Sequence, residues 1–135
     1  MELITTTSSA TVVTLRVIGK LDGSNYQELL DEAQKLYNAG WRKLVLDLSA
    51  LTFISSAGIS ALHRVALFFR GEKQAAEQEG WASYRALGRD RGSGAQKNVR
   101  LFNPTEKVLQ TLEMAGFTEL FEIYTDLEQA VASFG

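Results

Sequence analysis

The sequence contains no cysteine and a single histidine among its 135 residues. Without thiols there is no disulfide framework, no thiolate metal site and no cysteine nucleophile, a usage that fits a reducing cytosol. There is no excess of positive charge either. Fourteen Lys and Arg against sixteen Asp and Glu give a formal charge of -2, which argues against direct binding of nucleic acid by the surface at large. No apolar run approaches the length of a membrane span, and the opening MELITTTSSA lacks a basic segment followed by an apolar core. The expectation is a soluble, cytoplasmic chain without membrane insertion. Also missing are a Gly-x-Ser-x-Gly elbow, a Gly-x-x-x-x-Gly-Lys phosphate loop and a histidine-carboxylate cluster. A nucleophilic serine needs a base within hydrogen-bond reach. His63 stands seven residues beyond Ser56, roughly 10 Å along a helix axis, and a lone helix histidine is more often a surface or half-buried residue than a base. These absences predict no enzyme, no catalytic residue, no cofactor and no metal. The length suits one domain over residues 1–135 with one sizeable core, and no internal repeat or low-complexity tract divides it.

What is present is organised around Lys43 to Arg70, which begins as an apolar strand, breaks at Ser55-Ser56-Ala57-Gly58 and continues as a helix with Ile59, Leu62, Ala66 and Phe69 on its apolar side. Leu44, Val45, Leu46 and Leu48 form the near-continuous run of a strand covered on both faces in a parallel sheet. The turn places two hydroxyls at a helix N-terminus, where unpaired N–H groups and the dipole favour negative charge. A plain helix cap is the alternative role for one of them.

Asp47-Leu48-Ser49-Ala50-Leu51-Thr52-Phe53-Ile54-Ser55-Ser56-Ala57-Gly58-Ile59 resembles the signature loop of STAS domains, specifically the bacterial anti-sigma factor antagonists. By that resemblance Ser56 falls at the phosphorylated position, Ala57 at the following small residue, and Gly58 and Ile59 at the family's glycine and leucine. Ser55 stands where many members carry an aspartate. Gly19-Lys20-Leu21-Asp22 also resembles the family, and Asp22 then lies beside the phosphorylated loop; its other reading is an acid at a helix start. Thr52 is a further hydroxyl of the loop, read as a β-branched strand-end residue. Gly58 implies a close backbone approach or a special dihedral, and Ile59 is either contact surface or core.

The rest of the chain supplies the frame. Glu2 to Thr6 reads as an edge strand and Thr11 to Ile18 as a half-buried one, because Val13, Leu15 and Val17 alternate with polar residues. A helix from Gly23 or Ser24 carries Tyr26, Leu29, Leu30, Ala33, Leu36 and Tyr37 and closes at Gly40. Residues 71–98 read as an insertion, partly flexible, in which Ala75 to Leu87 either continues the preceding helix or forms its own, with Trp81 and Tyr84 on one side. From Trp81 to Lys97 four basic residues face only Asp90, so the segment is locally basic, most simply a solvated elaboration. Then come a strand at Val99 to Phe102, a capping box at Asn103-Pro104-Thr105-Glu106 before a helix burying Val108, Leu109 and Leu112, and a strand at Phe121 to Tyr124. A second box at Thr125-Asp126-Leu127-Glu128 opens the final helix.

This order predicts an α/β fold: one STAS-like domain whose mostly parallel mixed sheet has right-handed crossover helices, with an insertion between the second helix and the next strand. Asp22, Ser55, Ser56, Asn103 and Thr125 all follow strands and would share the carboxyl rim, the working edge of open α/β sheets. The resemblance implies an anti-sigma factor antagonist. Such a domain binds an anti-sigma factor that is itself a serine kinase, is released by phosphorylation of Ser56 and is restored by a serine phosphatase. The alternative is an unphosphorylated STAS scaffold or ligand-binding subunit of a stressosome-like or lipid-transport assembly, binding a nucleotide weakly or another small ligand.

Overall fold

The computed structural model describes residues 1–71 and 97–134, so the readings of Ala75 to Leu87 as a helix and of 88–96 as flexible lie outside the described residues. Among the described residues six strands and four α-helices follow in the order β1 (Glu2–Thr7), β2 (Val12–Leu21), α1 (Tyr26–Asn38), β3 (Lys43–Asp47), β4 (Leu51–Ile54), α2 (Ser56–Phe69), β5 (Val99–Phe102), α3 (Glu106–Met114), β6 (Ile123–Tyr124) and α4 (Leu127–Ala132), with a 3-10 turn at Phe117–Glu119. The sheet runs β1-β2-β3-β5-β6, and β4 pairs with the far end of β2. β1 is antiparallel to β2, and every other pairing is parallel. The mixed, mostly parallel α/β fold is therefore present, with the apolar strand β3 at its centre.

The β3 run explains that position. Leu44, Val45 and Leu46 are fully buried because the strand has apolar layers on both sides. Leu44 and Leu46 join Val13, Leu15, Val17, Val99 and Leu101 in the main core beneath α1 and α2. Val45 and Val12 face the other way, under Ala130 of α4. The α2 helix is buried from Gly58 to Phe69. His63 is 0% exposed, deeper than the surface or half-buried setting expected of it, because an almost wholly apolar helix leaves no solvent face for its few polar residues.

Several boundaries differ from the sequence reading. β2 continues through Gly19 to Leu21 and α1 starts only at Tyr26, since residues 22–25 form a turn knotted by their own side chains. The stretch expected as a single strand before Ser55 is two strands, with β4 making a separate parallel pairing to Gly19, Lys20 and Leu21. Asn103 adopts a left-handed φ of 49°, so it cannot lead directly into a helix; Thr105 caps α3 instead. Asp126, not Thr125, caps α4 by accepting from the N–H groups of Glu128 and Gln129. Leu109 is half-buried rather than buried. Of the strand expected at Phe121 to Tyr124 only Ile123–Tyr124 forms, because Phe121 turns into the core and stacks on Phe117 with ring centroids 4.8 Å apart.

Candidate functional site

Parallel strands put their carboxyl ends on one side, and the loops after β2, β4, β5 and β6 deliver Asp22, Ser55-Ser56, Asn103 and Thr125 to that common rim. The first two loops are joined directly. The Ser55 N–H donates to the Leu21 carbonyl at 3.0 Å, locking the start of α2 onto the end of β2. A Cβ on Gly23 would sit 3.9 Å from that of Ala57, so the Asp22 turn lies against the first turn of α2.

The two serines separate cleanly by geometry. Ser55 is the N-cap, in extended conformation, and its Oγ accepts from the Gly58 N–H at 3.2 Å. Capping thus satisfies one of the orphan donors of the helix. Ser56 is the first helical residue and is exposed. Its hydroxyl stands at the positive end of the dipole, outside the core.

The first turn of α2 also differs from those of its neighbours. Glu28, Glu106 and Glu128 place an acid in the first turns of α1, α3 and α4, whereas α2 has none. Its N-terminal partial charge is left without an acid of its own helix to meet it.

Gly58 and Ile59 hold this arrangement in place. A Cβ at Gly58 would come within 2.7 Å of both Ile54 Cγ1 and the Leu21 carbonyl oxygen, so the close approach expected there is real and involves backbone. Ile59 is buried in the main core. Ala57 is half-exposed beside Gly23. The Thr52 side chain is on the surface, but its hydroxyl donates to the Gly19 carbonyl at 3.0 Å, tying β4 to β2.

Asp22 is partly exposed and engaged at short range. Its Oδ1 accepts from the Ser24 hydroxyl at 2.6 Å and the Ser24 N–H at 2.9 Å, and these bonds hold the carboxyl below its usual range. Asn25 completes the turn, accepting from the Asp22 N–H and donating to the Lys20 carbonyl. The rim therefore presents a fixed carboxylate in the turn that lies against an acid-free helix start bearing an exposed hydroxyl. Sequence reasoning missed Phe53, an exposed aromatic (38%) on β4 with the Lys107 ammonium 5.8 Å from its ring centre, and also missed Ser24 and Asn25. The expected neighbours Asn103 and Thr125 share the rim, yet neither caps a helix. Among the described residues no cluster of His, Cys, Asp and Glu could hold a metal ion, and no described helix is long and apolar enough to cross a membrane.

Comparison with known proteins agrees with this architecture. A candidate anti-sigma factor antagonist from Thermotoga maritima superposes with a TM-score of 0.68 at 17% identity, over 98% of this chain and 93% of that one. An anti-sigma factor antagonist from Mycobacterium paratuberculosis gives 0.66 at 17% identity, over 98% and 94%. The phosphorylated form of the Bacillus cell-fate determinant SpoIIAA gives 0.56 at 14% identity, over 97% and 98%. At such identities these structures share the fold. No curated protein sequence matches the chain. The family model of the STAS domain matches residues 4–73, which run from within β1 past α2 and include the Asp22 and Ser55-Ser56 loops of the rim; the chain belongs to the STAS domain family.

Proposed function

We propose that this protein is an anti-sigma factor antagonist: a binding module, not an enzyme, that is switched by phosphorylation of Ser56. The reading rests on one observation, the exposed Ser56 hydroxyl at the N-terminus of α2, whose first turn, alone among the described α-helices, lacks an acid. The likeness to SpoIIAA, a protein seen in a phosphorylated form, supports the same assignment.

In the unmodified state the rim formed by Asp22, Ser55, Ser56 and Ala57 docks onto an anti-sigma factor that is also a serine kinase. The kinase esterifies the Ser56 hydroxyl, and the phosphate brings about -1.5 to -2 charges into the contact. Inside the free domain the helix N-terminus stabilises that charge. Against the partner it is desolvated and repelled, and like-charge juxtaposition across an interface costs several kcal/mol. A serine phosphatase removes the phosphate and restores binding. Asp22, in the turn packed against this end of α2, adds its own negative charge to the same face, while Gly58 and Ile59 keep the loop in position from below.

The test is intact mass after incubation with ATP and candidate anti-sigma serine kinases. Wild type should gain one phosphate and Ser56→Ala none. The same gain in both, or no gain with a kinase that binds the protein, removes Ser56 as the switch and leaves a constitutive scaffold. Pull-down with wild type, Ser56→Ala and Ser56→Asp then reads the consequence: the first two should retain the kinase, and the aspartate should release it.

A further inference from the structure

The two ends of the main sheet are unlike each other. One ends in β6, a two-residue strand, and so offers little edge. The other ends in β1, six residues long, ELITTT, with its only charge at Glu2, no proline or lysine, and an unbroken register to β2. Sheet edges are normally blunted by shortness, lysine, proline or bulges, and β1 uses none of these. Among the described residues no strand pairs with its outer side.

The direction of its backbone groups follows from the hydrogen bonds. In an antiparallel pair, alternate residues turn both N–H and C=O toward the partner. The Ser8 N–H bonds to the Val12 carbonyl, and the register sets Thr6 opposite Thr14, Ile4 opposite Arg16 and Glu2 opposite Ile18. The even residues of β1 therefore face β2. The far side of β2 agrees, since Gly19 donates to Ala50 and Leu21 accepts from Ser55 on that flank, so its odd residues face away from β1. Leu3, Thr5 and Thr7 are left pointing their N–H and C=O groups outward.

The geometry points to a homodimer in which two β1 strands pair antiparallel about a two-fold axis at Thr5, joining the sheets of two copies of this chain. In that register Thr5 meets Thr5, and Leu3 meets Thr7 twice, giving three pairs that exchange two hydrogen bonds each. Shifting the axis to Ile4 or Thr6 loses one of the three pairs. The side-chain matches are also favourable: Ile4 lies opposite Thr6, both β-branched, and Glu2 lies opposite Ser8, so no like charges face each other. This self-match is the reason for choosing a second copy over an unrelated peptide. Antiparallel pairing directs the two Ser56 rims to opposite ends of the joined sheet, so both remain open at once.

Thr5→Pro tests the claim, with Thr5→Val as the control that removes only the exposed hydroxyl bond to Glu32 and should still dimerise. The Thr5 N–H faces outward, so proline there removes a bond to the second copy without removing one to β2. In sedimentation velocity over a rising concentration series the wild-type chain should pass from the mass of one chain to that of two, and Thr5→Pro with native far-UV circular dichroism should stay at one. Hydrogen exchange gives a readout independent of any variant: the amides of Leu3, Thr5 and Thr7 should slow as concentration rises, while those of Ile4 and Thr6 stay unchanged. A wild type that stays monomeric at the highest soluble concentration overturns the proposal, as does a dimer that leaves the three odd amides unprotected. A dimer unaffected by Thr5→Pro does the same.

Discussion

Two strand-to-helix junctions stand on the same rim of this protein and are built differently. At the start of α2, Ser55 caps the helix, Gly58 is pressed onto the end of β2, and no acid meets the dipole. At the start of α3, Thr105 has two tasks, accepting from the Val108 N–H and donating its own hydroxyl to the Leu51 carbonyl at 2.9 Å, and Glu106 follows in the first turn. The α3 junction is closed electrostatically and stitched to β4. The α2 junction is held as firmly by packing yet keeps its charge requirement open, so rigidity and electrostatic saturation are supplied separately in this fold.

Substitutions should separate those two properties, beginning with packing. Gly58→Ala forces a methyl against the Leu21 carbonyl and Ile54, and because the carbonyl is backbone it cannot swing away. We expect a loss of about 3 kcal/mol, read as a lower urea midpoint with unchanged slope. A neutral result would mean that the α2 junction is looser than the one at α3. Thr105→Ala should cost about 2 kcal/mol, since it deletes a cap and leaves the part-buried Leu51 carbonyl short of a donor. Thr105→Ser should recover most of it. Ser55→Ala should cost about 1 kcal/mol, and Ser55→Asp should not, because aspartate caps as well as serine does.

Charge comes next. Ser56→Asp should raise stability by about 0.3–1 kcal/mol at low salt through the unmet dipole, an increment that fades as salt is added. Glu106→Gln should lose a similar amount at the other junction, where the acid is already present. The smallest effect concerns pH. The Asp22 carboxyl is held below the ordinary aspartate value of 3.8, chiefly by the Ser24 hydroxyl. Its contribution is therefore fully present above that value and is lost as pH falls through the lower folded one. Ser24→Ala should move the Asp22 titration, followed by its carboxyl carbon shift, back toward 3.8.

Much of this was legible because local chemistry and tertiary demand agree. The buried run Leu44 to Leu46 and the 3.6-residue spacing of Leu29, Leu30, Ala33 and Leu36 each fix an element and the face it buries. Gly40 and Gly116, both with φ above 70°, end α1 and α3 as glycines do. Caps were harder to place to the residue. Asn103-Pro104-Thr105-Glu106 contains two good capping residues, and only the left-handed φ of Asn103 selects Thr105. β4 was not legible, because Leu51-Thr52-Phe53-Ile54 shows neither alternation nor a continuous apolar run: its ends are buried and its middle exposed, and its partner lies some thirty residues earlier. The knot of Asp22, Ser24 and Asn25 was likewise hidden, since three polar residues before a helix look like any cap.

By itself the sequence determined the succession of strands and helices, the apolar faces that must meet, and the presence of two hydroxyls where a strand gives way to a helix. Periodicity and turn chemistry act within a few residues, so those features can be read locally. Which serine is spent on capping and which stays exposed, that the Asp22 turn comes to lie against the first turn of α2, and that His63 is enclosed were decided only by tertiary structure. Each depends on where β2, β4 and α2 cross, and that crossing is set by packing between residues far apart in the chain.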